Sequence, residues 1–284
     1  MARRFIADPE ISRLALWSRR VAMFAIPVAL LAVIIVRAGL FELVPVLVTF
    51  AASLALALLA IVLALIALGR IWVDGRKGAL NAVIAILVSL LLLAYPGYLG
   101  FRAYQLPQIY DITTDPYDPP RFEAVARLRT REANPVAYAG LATYEQQRAA
   151  YPDVEPLIAT ATPQAAYDAA HAVVTKRKWR IVDERAPQAG RRDGRIEAIA
   201  QSPIMGFRDD VVIRIRSAGT GSRVDVRSAS RYGWHDFGTN AARVTSLIDD
   251  IDDVATPDKT EQPVKKTQKT ARPATGKDAQ PARR

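Results

Sequence analysis

The sequence predicts an α+β protein in which three N-terminal transmembrane helices precede a mainly antiparallel β-sheet domain with two packed helices. Three observations predict it. Runs without charge fill most of residues 21–101. Beyond them, apolar and charged residues alternate with the period of two that marks a half-buried strand. Two other stretches repeat their apolar residues at helical spacing.

The first apolar run, 21–36, lies between Arg19-Arg20 and Arg37, and extends to about 41 because a terminal arginine can snorkel to the interface. The second run is 43–68, ending at Gly69-Arg70, and the third is 79–101, ending at Arg102. A bilayer core of roughly 30 Å needs about 20 helical residues, so the second and third spans suffice outright and the first does with its extension. A cleaved secretory signal is the competing reading of the first run. Two further spans follow it at once and no small-x-small cleavage site is well placed, so an anchor is expected. No ionisable residue lies inside a span, which removes the usual hint of an ion path. Thr49, Ser53, Asn81 and Ser89 can bond their own helix or a neighbour. Pro27 is expected to kink the first span, whereas Pro45 sits in a first turn.

Charged flanks set the expected orientation. Arg3, Arg4, Arg13, Arg19 and Arg20 precede the first span, and Arg70, Arg76 and Lys77 lie between the second and third. The loop between the first two has only Arg37, near Glu42. By the positive-inside rule the N-terminus (1–20) is cytoplasmic, and three spans within 21–102 place residues 103–255 in the periplasm of a bacterial-type inner membrane. The rings of Tyr95, Tyr98, Phe101 and Tyr104 suit the outer interface.

The net charge of +10 does not belong to the domain. Residues 103–255 hold 20 basic and 21 acidic residues, so the surplus sits at the membrane flanks and in the tail. A nucleic-acid partner is therefore not expected. The chain has no cysteine, which excludes disulfides, thiolate catalysis and zinc-thiolate sites.

The domain reads in order. Pro107, Pro116, Pro119 and Pro120, with Asp111, Asp115 and Asp118, make 106–122 a stiff, extended lead-in. A short helix is expected at 122–131, a loop of partly helical character at 140–152, and a strand at 155–159. Thr162 is a candidate N-cap with Pro163 in the first helical position, opening a helix over 163–178 with Tyr167, Ala170 and Val174 on one face. Strands follow at 179–184 and, after a turn at 190–194, at 195–201. The clearest hairpin joins 210–216 to 223–230 through Ala218-Gly219-Thr220-Gly221. The last element, 239–254, spaces Val244, Leu247, Ile248 and Ile251 as an amphipathic helix. The order β-α-β-β-β-β-α argues for an α+β domain. Residues 256–284, rich in Lys, Pro, Thr and Ala with no aromatic, form an expected disordered basic tail.

The densest polar stretch is Arg227-Ser228-Ala229-Ser230-Arg231-Tyr232-Gly233-Trp234-His235-Asp236-Phe237-Gly238-Thr239-Asn240, followed by Arg243. It resembles the signature of domain-of-unknown-function family 1499, through Arg227, Ser228, Ser230, Arg231, Gly233, Asp236, Gly238, Asn240 and Arg243. Asp111-Ile112-Thr113-Thr114-Asp115 with Pro119-Pro120 resembles that family's opening motif, so the likeness covers roughly 105–255. Trp234-His235 departs from the smaller residues expected there. The family carries no established activity, so the resemblance implies a domain and not a reaction.

Two physical readings of the motif stay open in the sequence. In one, Asp236 or Thr239 caps the last helix, Gly233 and Gly238 supply backbone angles closed to other residues, and Arg227, Arg231 and Arg243 pair with Asp225, Asp209, Asp210, Asp111 or Asp115. In the other, those arginines with Ser228, Ser230, Asp236 and Asn240 form a cradle for a phosphate or carboxylate at the helix N-terminus. Free guanidinium groups around a concavity would mark the second, and saturation by aspartates the first. The histidines are His171 and His235 alone, too few for a typical His-based metal site. No catalytic set or cofactor motif is recognised. The expected role is a membrane-anchored periplasmic domain that binds an anionic lipid, an envelope polymer or a membrane-protein partner. The alternative is a hydrolase-like enzyme with Ser228 or Ser230 as nucleophile and His235 as base.

Overall fold

The computed structural model describes residues 10–39, 43–188, 190 and 192–256. The expected tail after 256, Arg3, Arg4 and the end of the first span at 40–41 lie outside the described residues. Three helices, α1 (Arg13–Ala38), α2 (Leu43–Asp74) and α3 (Ala79–Gln105), are each long and apolar enough to cross a membrane. α1 begins two turns before its apolar run because the Ser12 side chain accepts the Ala15 N–H as a cap. A cap, and not hydropathy, sets that start. Pro27 and Pro96 both lie within helices that continue past them.

The bundle buries its small residues. Ala15, Ser18, Ala22, Ala25, Ala29 and Ala32 of α1 alternate spacings of three and four, and they face Ala57, Ala60, Ala64 and Ala67 of α2 and Ala82, Ala85 and Ser89 of α3. Large side chains such as Phe24, Leu30, Leu58 and Leu91 point outward. That is the reverse of a soluble bundle, and it suits lipid, where close backbone approach drives helix association. Thr49 and Ser53 bond their own helix, at 3.0 and 2.6 Å to the Pro45 and Phe50 carbonyls. Asn81 accepts from Arg19 of α1 at 3.0 Å.

The domain is an antiparallel sheet of six strands with helices. They are β1 (Asp111–Thr113), β2 (Leu157–Ala159), β3 (Arg180–Arg185), β4 (Gly194–Gln201), β5 (Arg208–Ala218) and β6 (Gly221–Ser230). The order is β1-β6-β5-β4-β3, with β2 also pairing along β6. α5 (Pro163–Lys176) and α6 (Thr239–Ala255) pack on one face, over Ile196, Ala198, Val211, Ile213, Ile215, Val224 and Val226. Each fully buried Val, Leu or Ile there contributes about 1.5–3 kcal/mol. The β5–β6 turn needs a glycine at 221, because a Cβ there would overlap the Ala159 carbonyl of β2.

Between residues 106 and 152 the sequence reading is corrected twice and sharpened once. Asp111–Thr113 is not merely extended but an edge strand on β6, with Asp111 opposite Ala229. The helix expected at 122–131 shrinks to a 3-10 turn, Val125–Leu128. The loop expected at 140–152 contains a full helix, α4 (Leu141–Ala150). From α4 the buried Gln147 reaches the outer edge of β1, accepting from the Thr113 N–H at 3.1 Å and donating to its carbonyl at 2.8 Å. A side-chain amide thus completes the ladder as a neighbouring strand would.

The domain meets the bundle at two arginines. Arg37, at the end of α1, donates to the carbonyls of Pro203 and Ile204 in the β4–β5 loop at 2.8 and 3.2 Å. Arg102, near the end of α3, donates to the Phe237 carbonyl before α6 at 3.1 and 3.3 Å. β5 begins at this junction and runs away from it, so Ile215 lies roughly 23 Å further out along the strand.

Candidate functional site

The strand period of two decides where the residues of the polar motif go. Ser228 and Ser230 point to the helix face of β6, while Arg227 points to the opposite face and Arg231 follows it there. On the helix face, Asn240 is the hub. Its amide oxygen accepts from Ser228 Oγ at 2.7 Å and from Arg243, and its amide nitrogen donates to Ser230 Oγ at 2.9 Å and to the Tyr110 carbonyl at 3.0 Å. Arg243 also reaches Ser228 Oγ at 2.9 Å and ends on Asp209 at 2.5 Å. Asp236 caps α6, its two carboxylate oxygens accepting from the Gly238 and Asn240 amides at 2.9 and 2.8 Å. Burial raises its pKa, against the pull of those two amides.

On the opposite face Arg227 forms a two-pronged fork with Asp111, at 2.9 and 2.6 Å. Its remaining donors reach the Pro120 and Val136 carbonyls, and its plane lies over Phe122 and Tyr138. Arg231 and Arg129 share the buried Asp210, at 2.7 Å each. The single cradle expected of Arg227, Arg231, Asn240 and Arg243 therefore does not assemble. The sheet separates its members, and each of the three guanidiniums is paired with an aspartate of its own face.

The nucleophile–base pair considered from the sequence does not form either. His235 uses both ring nitrogens on backbone, Nδ1 accepting from the Phe237 N–H at 2.8 Å and Nε2 facing the Leu106 carbonyl at 3.2 Å. Ser228 and Ser230 are committed to Asn240 across the sheet face. His171 is a surface residue 3.1 Å from Glu184.

The sequence reading missed the larger part of the polar face. Arg214, Arg216 and Arg223 converge on Asp115 and Asp225, each pair between 2.8 and 3.2 Å. Burial alone would raise the Asp115 pKa, but the Asp118 amide and the guanidiniums of Arg223, Arg214 and Arg216 outweigh it and hold the group below its ordinary value. Beside this cluster the fully buried Glu197 accepts the Glu123 and Val125 amides and the Arg195 guanidinium, at 2.6–3.2 Å. The alternating arginines of the hairpin strands were the available signal. Their partners in the Asp-rich lead-in were not predictable by spacing.

Over this face, at the end of the domain far from the bundle, opens a groove of about 1130 Å³. Six arginines line it (Arg121, Arg185, Arg192, Arg195, Arg214 and Arg216) against the carboxylates of Asp118, Glu123 and Asp193. Four of the six are already paired, and Arg121 and Arg192 are exposed with no carboxylate in ion-pair range among the described residues. The start of α5, Thr162 to Gln164, adds its positive helix end to the rim.

Fold and site together define an α+β domain, held by internal arginine–aspartate pairs and attached to three apolar helices. Residues 111–251 match the family described as a protein of unknown function, DUF1499, and the chain belongs to that family. No curated protein and no solved structure matches it.

Proposed function

We propose that the chain is a multi-pass protein of the bacterial inner membrane, with a cytoplasmic N-terminus and its domain in the periplasm, and that the domain binds an anionic component of the envelope. The observation that carries this reading is the outer groove, where Arg121 and Arg192 lack carboxylate partners among the described residues while the arginines of the sequence motif are consumed internally. Guanidinium edges and a helix N-terminus suit phosphate or carboxylate groups on a polymer. The groove's distance from the bundle leaves room for a ligand that is not part of the bilayer.

The test uses the full chain in detergent. Polyphosphate and an acidic glycan should raise the melting temperature, a neutral glycan should not, and Arg121→Gln/Arg192→Gln should weaken the response about tenfold in ligand concentration, equivalent to ~1.4 kcal/mol. An unchanged response in that variant removes the groove from the reading.

A further inference from the structure

A second recess lies at the opposite end of the domain, where it meets the bundle. We propose that this crevice binds the headgroup of an anionic phospholipid. It deepens the reading above, resting on its membrane placement but not on the outer groove.

The crevice measures about 440 Å³. Its floor is made by Val36 of α1 and Leu43 of α2, and its roof by Phe207, Arg208, Arg131 and Tyr232 of the domain. Val36 is the last apolar residue before Arg37, and Leu43 opens the apolar run of α2. The floor therefore stands at the level where spans of this kind pass from hydrocarbon to headgroups. Acyl chains would run down along Val36 and Leu43, and the phosphate would stop at the roof.

The roof has the matching chemistry. Arg131 and Arg208 are exposed, and among the described residues neither guanidinium has a hydrogen bond or ion pair. This sets them apart from the arginines of the polar sheet face, which are matched by carboxylates. The Tyr232 hydroxyl, 3.1 Å from Thr130 Oγ1, adds a polar group beside them. Glu132 also lines the crevice and, among the described residues, leaves the roof with one net positive charge, enough for a phosphodiester monoanion.

The backbone keeps this recess tight. Gly39 adopts φ +64°, and a Cβ on it would sit 3.4 Å from Arg208 Nη2. A Cβ on Gly206, at φ +72°, would come within 2.9 Å of Arg37 Cγ. Two loops at the same level, tied down by Arg37 and Arg102, expose Ile204 and Trp234. An indole in such a position is at home among headgroups. The crevice is thus continuous with a surface that already favours the interface.

The full chain is placed in nanodiscs of phosphatidylcholine alone or with phosphatidylglycerol. Phosphatidylglycerol should raise the melting temperature and be retained over phosphatidylcholine in native mass spectra. Arg131→Gln/Arg208→Gln should cut that preference at least tenfold, and Arg121→Gln/Arg192→Gln should leave it intact. If Arg131→Gln/Arg208→Gln melts lower in phosphatidylcholine discs, the retention ratio alone decides. An undiminished preference in Arg131→Gln/Arg208→Gln overturns the site. So does an equal thermal shift from inorganic phosphate in phosphatidylcholine discs, which would mean a site for free phosphate. A failed lipid test with an intact polyphosphate response removes the crevice and leaves the groove standing.

Discussion

Arg227 and Asp111 are separated by 116 residues in the chain and are both almost wholly buried. The fork between them joins β1 to β6, and the carbonyls of Pro120 and Val136 complete it. Replacing Arg227 by methionine keeps the apolar contacts with Phe122 and leaves Asp111 charged without a partner. The expected loss is about 3–5 kcal/mol in chemical denaturation of the full chain, and Arg227→Met/Asp111→Asn should recover part of it. A loss below about 1 kcal/mol would mean that the pair does not hold β1 in place. Asp115 makes a separate prediction in pH. Its folded pKa is depressed, so its contribution is complete above the unfolded value of about 3.9 and fades as the pH falls through the folded one. Asp115→Asn should therefore destabilise the protein at neutral pH and flatten the acid limb of its stability curve below about pH 4. A limb unchanged in slope would assign acid sensitivity elsewhere. At this scale the sequence was half legible. Alternation along 227–231 already implies two faces, which is incompatible with one cradle, but which aspartate meets which arginine depends on contacts far apart in the chain.

At the scale of elements, legibility follows length and period. The β5–β6 hairpin declares itself because Val211, Ile213 and Ile215 alternate with Arg214 and Arg216 over enough residues to fix a face. α5 declares itself through Thr162 and Pro163, and the structure places the cap on the Ala165 amide as that pattern implies. β1 has only three residues, so no period can show. α4 is hidden for another reason, since its buried side chain is Gln147 and not an apolar stripe. The turn into α6 carries the strongest local constraint. Phe237 and Gly238 are both left-handed, at φ +54° and +79°, and a Cβ on Gly238 would approach Arg102 Nη2 to 2.5 Å and Leu106 Cδ1 to 3.0 Å. Gly238→Ala should cost about 1–3 kcal/mol by thermal denaturation. Adding Arg102→Ala should return the steric share of that cost and not the backbone share. Full recovery would show that the backbone angle is not strained.

For the whole molecule, the division into an apolar bundle and a nearly neutral domain is plain in the sequence, because charge-free runs of that length have few other uses. The absence of cysteine makes the proposed orientation simple to test. Lys176→Cys, exposed on α5, should react with a membrane-impermeant maleimide once the outer membrane is permeabilised. Arg76→Cys, between α2 and α3, should react only after lysis. The reverse pattern would invert the topology. The groove and the crevice escaped sequence reasoning because each gathers residues from several separate segments. Their opposite positions also follow from the run of β5, which starts beside the bundle and ends at the groove.

Gln147 has one more consequence. A protein confined to a membrane meets its own copies often, and an open strand edge would offer each copy a template for runaway pairing. The carboxamide of Gln147 occupies both bonding groups of Thr113, so the β1 end of one margin, which β2 continues along β6, is already taken. The other margin, β3, carries Arg180, Asp183, Glu184 and Arg185 and an irregular register between Ile181 and Asp183, features that discourage a flat partner strand. At these two strands, edge-to-edge pairing between copies is thus hindered.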